Sequence, residues 1–113
     1  MLPFEQQYEE NVGVFTVRGY SCYDDTPLKD NFNESYTDLV KLAESIDNGS
    51  CVYFIAKVTC SCQGVELAET YLGTCVYDSY DDFFGKEGYY EDMRDEVIAE
   101  ATRILNNLKQ VVI

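Results

Sequence analysis

The chain has 113 residues, 46% of them hydrophobic and 14% aromatic, and its 21 acidic side chains against 8 basic ones give a formal charge of −13. That length predicts one folded domain over residues 1–113, and a chain so rich in apolar and aromatic residues is excluded from the class of disordered acidic tails. The charge sets the surface against phosphate and anionic lipid, so neither nucleic acid nor a membrane is expected as a direct partner.

No window approaches the ~18 apolar residues of a bilayer span, and the start MLPFEQQYEEN has neither the basic nor the apolar region of a leader. A cytoplasmic protein is expected. Five cysteines, an odd number, then read as reduced thiols and not as a disulfide framework.

In chain order, Leu2 to Tyr8 and Val12 to Cys22 are β-rich runs separated by EEN, which predicts a hairpin. The run from Tyr23 to Asn33 is rich in Asp, Asn and Pro and reads as a loop. A helix is expected over Glu34 to Asp47, because Tyr36, Leu39, Val40, Ala43 and Ile46 recur at helical spacing. Asn33 or Ser35 would cap it and Asn48-Gly49 would stop it.

CVYFIAKVTCSC and VELAETYLGTCVY follow as two strands around Gln63-Gly64. Pairing Cys62 with Val65 sets Cys60 opposite Leu67 and Val52 opposite Cys75. Val52, Phe54, Ala56, Val58, Cys60 and Cys62 then share a face with Val65, Leu67, Tyr71 and Cys75. Glu69 is the misfit, which points to a bulge near it. After an aromatic and acidic loop, a second helix is expected over Tyr89 to Lys109 with Tyr90, Met93, Val97, Ala101, Ile104 and Leu108 on its apolar face. The order β-β-α-β-β-α predicts an α+β fold: a small antiparallel sheet of about four strands with helices covering one face, the C-terminal helix longest.

Several chemistries lack their residues. Without any histidine there is no His-dependent triad and no His ligand for zinc. A nucleophilic cysteine needs a depressed pKa, which acidic surroundings oppose. Cys51, Cys60, Cys62 and Cys75 do not converge for a four-Cys zinc site, since Cys51 points away from the others and Cys75 lies far along the ladder. Asp78, Asp81 and Asp82 do not follow the ligand spacing of an EF-hand loop, and Gly85-Lys86-Glu87-Gly88 lacks the Ser or Thr of a phosphate loop. No cofactor, metal or catalytic residue is assigned, and the chain is read as non-enzymatic.

What stands out is YDSYDDFFGKEGYYEDMRDEVIAE, residues 77–100. Nine acids there (Asp78, Asp81, Asp82, Glu87, Glu91, Asp92, Asp95, Glu96 and Glu100) face only Lys86 and Arg94, a balance of −7 out of −13. On a helix, residues four apart rise about 6 Å and share a face. Asp92, Glu96 and Glu100 therefore form one column, with Glu91 and Asp95 in a second beside it. Tyr80 and Tyr89 are the candidate anchors, since tyrosine both fills pockets and stacks on Arg. The plain structural alternative is a solvated helix face with the rings in the core.

A short, strongly acidic α+β chain with such columns resembles bacteriophage proteins that disarm host nucleic-acid enzymes by imitating DNA, of the anti-CRISPR and anti-restriction kinds. It is also similar in type to bacterial immunity proteins that plug nuclease toxins. The resemblance implies an inhibitor in the host cytoplasm whose partner is a basic nucleic-acid-binding protein, a host nuclease or defence complex. From a different class, a structural or assembly subunit forming a homodimer fits the same features.

Overall fold

The computed structural model describes residues 3–32, 38–85 and 88–111. Four antiparallel strands, β1 (Glu5–Val12), β2 (Phe15–Tyr23), β3 (Val52–Cys62) and β4 (Val65–Tyr77), form one sheet in the order β1-β2-β3-β4. The helices are α1 (Leu28–Asn31) and α2 (Leu39–Asp47) between β2 and β3, then α3 (Tyr80–Phe84) and α4 (Tyr89–Val111), the longest. The α+β class and the four-stranded sheet agree with the sequence reading, but the element order adds two short helices, α1 and α3.

The first hairpin turns at Gly13-Val14 and not at the acidic EEN, which lies inside β1. Gly13 supplies the left-handed backbone of the turn, with φ +60°. The edge strand tolerates the acids because each finds a cation: Glu9 accepts from Arg18 on β2 at 2.7 Å, and Glu10 lies 3.5 Å from Arg94 on α4.

The second hairpin turns at Gln63-Gly64 with Cys62 opposite Val65, as expected. Both turn residues have positive φ, +51° and +81°, the backbone twist that joins antiparallel strands tightly. Farther along, the expected register fails twice. Ser61 pairs with Glu66 and Cys60 with Ala68, so Leu67 is a bulged extra residue. Beyond it the parity of β4 flips: Ala68 turns to the core, while Glu69 and Tyr71 turn away, Tyr71 being 51% exposed. A second irregularity at Gly73-Thr74 returns Cys75 to the core opposite Phe54, and Val52 pairs with Tyr77, not Cys75.

Most of the expected helix 34–47 is found from Leu39 onward. Tyr36 and the expected caps Asn33 and Ser35 lie outside the described residues. Asp38 is the N-cap, its carboxylate accepting from the Lys41 N–H at 3.1 Å, and Gly49 ends the helix with φ +81°. The apolar stripe of α2 does not enter the core. None of its residues is buried, and Val40 is 70% exposed.

One sheet face is covered by α3 and α4 instead. Tyr90, Met93, Val97 and Ala101 of α4 are buried against Phe15, Val17, Phe54, Ala56, Val58 and Cys60. Farther along, Ile104 is half-buried and Leu108 is 50% exposed, so the apolar stripe runs out of core before the helix ends. The radius of gyration is 16.7 Å with a longest dimension of 60 Å, against about 13 Å for a compact domain of this length. Among the described residues no helix is long and apolar enough to cross a membrane.

The segment read as an aromatic loop contains α3, capped by the Ser79 hydroxyl, which accepts from the Asp82 N–H at 3.1 Å. Its rings are structural. Phe54 meets Tyr80 at 5.0 Å and Phe83 at 5.4 Å, both edge to face. Phe84 lies over Gly19 of β2, where an added Cβ would stand 2.4 Å from the ring.

Candidate partner-binding face

The fold divides the acids of α4 between two flanks. At about 100° per residue, Glu91 and Glu96 are some 140° apart around the helix, whereas Asp92 and Asp95, three residues apart, are separated by only about 60°, so the two columns adjoin on the solvent side and diverge at their outer members. Glu91 sits on the flank toward β1, where Arg94 reaches Glu10, and Glu96 on the flank toward β4, where it meets Thr70, with Asp92 and Asp95 between them on the exposed side.

On the β1 side three carboxylates share one cation within the molecule. Arg94, a quarter exposed, reaches Glu10 at 3.5 Å, Glu91 at 3.6 Å and Asp95 at 3.3 Å. Glu10 also accepts the Tyr8 hydroxyl at 2.6 Å. Glu91 and Asp95, both expected to contact a partner, also belong to a network around one guanidinium, with Asp95 still 65% exposed. The i,i+3 spacing of Glu91 and Arg94 was the visible signal. The contribution of Glu10 was not visible, because it arrives from a strand more than eighty residues away in sequence.

The β4 side is more open. Asp92 makes no ion pair among the described residues, and Glu96 accepts only the Thr70 hydroxyl of β4, at 3.3 Å. Both side chains are exposed. Glu100 is hydrogen-bonded to Arg103, which holds its carboxyl below the usual carboxylate range. That pair is itself exposed, and such pairs are weak and screened by salt. Between α4 and β4 lies an open groove of about 430 Å³. Ala68, Val97 and Ala99 line it together with Glu69, Glu96, Glu100 and Arg103. Glu69, which lies 3.7 Å from the Lys57 ammonium of β3, was missed as a surface acid of this face; its misfit in the strand alternation was the signal.

At the N-terminal end of α4, Tyr89 is 63% exposed and borders a second hollow of about 180 Å³ with Leu72, Thr74, Cys75 and Tyr77. It stays available as a surface ring. Tyr80 is half-buried, packed edge to face against Phe54 at the margin of the core, and offers less of its ring to a partner. Asp78 and Asp81 are exposed and Asp82 is half-buried. Asp81 and Asp82 lie in the first turn of α3, where acidic side chains favour a helix start. The structure therefore joins Tyr89, Asp92, Glu96 and Glu100 along one side of α4, with Asp78, Asp81 and Asp82 on the preceding helix and its approach.

Four of the five cysteines are buried, and Cys62 is half-exposed. Burial, aided by the nearby Asp78 charge, pushes the Cys51 thiol up, and burial lifts Cys75 to about 11. Both are thus kept as neutral thiols and are poor nucleophiles. Among the described residues no three His, Cys, Asp or Glu side chains are grouped to hold a metal ion.

No protein-family model, curated protein or solved structure matches this chain. The class that the fold defines is an α+β protein with a four-stranded antiparallel meander covered on one face by its C-terminal helices.

Proposed function

We propose that the protein is a non-enzymatic inhibitor that lays the β4-facing flank of α4 into the basic nucleic-acid-binding surface of another protein, acting as a DNA mimic of the anti-CRISPR or anti-restriction kind. The observation that carries the reading is the pair Asp92 and Glu96, exposed, one helical turn apart and without a cation among the described residues. Their separation of about 6 Å along the axis is close to two phosphate steps of one DNA strand, at about 3.4 Å each.

Glu100 extends the row by another turn, since its exposed bond to Arg103 can be exchanged for a bond to a partner's cation. The apolar groove floor suits the stems of Lys and Arg side chains whose heads reach Glu69, Glu96 and Glu100. Tyr89 supplies an exposed ring at the end of the row. With a net charge of −13 behind it, association is fast and salt-sensitive. In this reading the protein works in the host cytoplasm, and a nuclease toxin would meet the same face in the same way as a defence complex.

The test compares two double charge reversals in affinity capture from host lysate at low salt. Asp92→Lys with Glu96→Lys is expected to abolish capture while the circular dichroism spectrum is kept. Glu91→Lys with Asp95→Lys, on the flank already occupied by Arg94, is expected to weaken capture far less. Undiminished capture by the first variant would refute the proposal.

A second reading, a homodimeric assembly subunit, is favoured by the apolar stripe of α2, which has no buried residue. Sedimentation of the purified chain decides it: a stable dimer that Val40→Asp disrupts supports that role, and a monomer removes it.

A further inference from the structure

Between β1, α3 and the first turns of α4 lies a pocket of about 160 Å³ lined by Tyr8, Glu10, Phe84, Tyr90, Glu91 and Arg94. It is smaller than the ~300–1,000 Å³ of sites that hold whole small molecules, and it suits the head of one side chain. Three rings form its apolar wall: Tyr8 meets Tyr90 at 5.3 Å, Phe84 meets Tyr90 at 5.5 Å, and Tyr8 and Phe84 lie parallel at 6.1 Å.

The pocket has an imbalance of two kinds. Arg94 is shared among Glu10, Glu91 and Asp95, so three carboxylates are met by one cation. Tyr90 is 3% exposed, and no group of the described residues completes a well-formed hydrogen bond with its hydroxyl, although Glu10 is near enough to act on it both as a charge and as an acceptor, which leaves the phenol's lone pairs unmet. Buried hydroxyls are almost always bonded, and one left alone destabilises the fold. Burial and the Glu10 charge hold the Tyr90 phenol well above its ordinary pKa, so it stays neutral and keeps lone pairs to offer. What the pocket lacks is a compact cation with several N–H donors. A divalent ion fits poorly, since the acids here are not grouped as metal ligands.

We propose that this pocket receives the ε-ammonium of one lysine from the partner, its three N–H groups donating to Tyr90 Oη, Glu10 and Glu91, with the rings of Tyr8 and Phe84 against its stem. Lysine is preferred to arginine because the acceptors converge on a point charge, and the planar guanidinium role is already taken by Arg94. The inference rests on the reading above that the partner's surface is cationic, and it adds a second contact on the opposite flank of α4. In that arrangement the helix is straddled, with a phosphate-like row on one side and a lysine socket on the other.

The test needs no partner. n-Butylammonium is titrated into the full chain and followed by NMR at the Tyr8 and Tyr90 ring protons, the Gly85 amide and the Arg94 side chain. Saturable shifts confined to these groups are expected, with affinity falling about tenfold in Tyr90→Phe, which removes only the acceptor oxygen. Glu10→Gln is expected to abolish the response. Equal binding by Tyr90→Phe, the outcome if the hydroxyl merely holds a water, overturns the proposal, as does a response scattered over the surface. Tighter binding of n-butylguanidinium overturns the choice of lysine. Because the probe is a small ammonium ion, these outcomes are independent of whether Asp92→Lys with Glu96→Lys loses the macromolecular target, so each reading can fail without the other.

Discussion

Replacing Gly19 by Ala tests the packing that positions α3, and with it the start of α4. Glycine inside a strand is normally a weakness, and Gly→Ala at a compatible site raises stability by about 0.4–1 kcal/mol through the unfolded chain. Here an added Cβ would stand 2.4, 2.8 and 3.0 Å from three atoms of the Phe84 ring. That ring cannot swing away cheaply. It is 3% exposed and held edge to face by Phe83 at 4.9 Å and by Tyr90 at 5.5 Å.

Overpacking of this kind costs about 1–3 kcal/mol, so after the entropic gain a net loss of about 1–2 kcal/mol is expected. Unfolding entropy near 2.1 cal/mol/K per residue over the 113-residue chain makes each kcal/mol worth about 4 °C. Thermal unfolding by circular dichroism should therefore show Tm lowered by about 4–8 °C. The loss should shrink when Gly19→Ala is combined with Phe84→Leu, with a coupling above about 0.5 kcal/mol. An unchanged or raised Tm in the single variant would mean that Phe84 is not seated on Gly19, and the placement of α3 would have to be abandoned.

Two further outcomes follow from buried groups. Asp24 is 3% exposed and its two oxygens accept from the N–H groups of Thr26 at 3.0 Å and Thr74 at 3.3 Å, tying the end of β2 to the irregularity in β4. Asp24→Ala should cost about 2–4 kcal/mol in urea unfolding, since each stranded N–H costs about 1–3 kcal/mol; a loss below about 0.5 kcal/mol would contradict that role. The Cys75 thiol gives a pH dependence of definite sign. Burial raises its pKa from 9.0 to about 11, with an opposing backbone hydrogen bond at Ala56 and a small further push from Asp24. In the unfolded chain the thiol ionises near 9, so its contribution is full below about pH 9 and is lost as pH rises toward 11. The urea midpoint should fall across that window and fall less in Cys75→Ala, the remaining slope coming from Cys51, Cys60, Tyr8, Tyr53, Tyr77 and Tyr90, whose pKa values are also raised. A midpoint that is flat from pH 9 to 11 would contradict the burial of these groups.

The parts of the fold that were legible depend on local chemistry. Gln63-Gly64 announced its turn because positive φ is needed at both residues. The buried stripe of α4 was legible as far as Ala101 because a 3.6-residue period names a face directly. The same logic found the stripe of α2 but could not say that nothing would cover it, since periodicity specifies a face and not its neighbour. EEN looked like a turn because acids are rare in strands. It became strand because Arg18 and Arg94 meet those acids from β2 and α4, contacts without local signature. The bulge at Leu67 was half visible: Glu69 broke the alternation, yet the extra residue sits two positions earlier and reverses the facing of Tyr71.

The candidate site divides in the same way. Helical spacing grouped Asp92, Glu96 and Glu100 and set Asp95 beside them, but it could not show that Arg94 and Glu10 would draw Glu91 and Asp95 into a shared network. Tyr80 and Tyr89 looked equivalent in sequence. The core took one of them, because Phe54 offers Tyr80 an edge-to-face partner and leaves Tyr89 in solvent.

The most direct measurement is displacement of nucleic acid from the captured target. With the target purified and a labelled duplex bound to it, added protein is expected to release the duplex at matching occupancy, less effectively as salt is raised, while Asp92→Lys with Glu96→Lys releases none. A ternary complex in which target, duplex and protein remain bound together, or displacement by the reversed variant equal to that of the natural chain, would contradict the claim that these carboxylates stand in for phosphates.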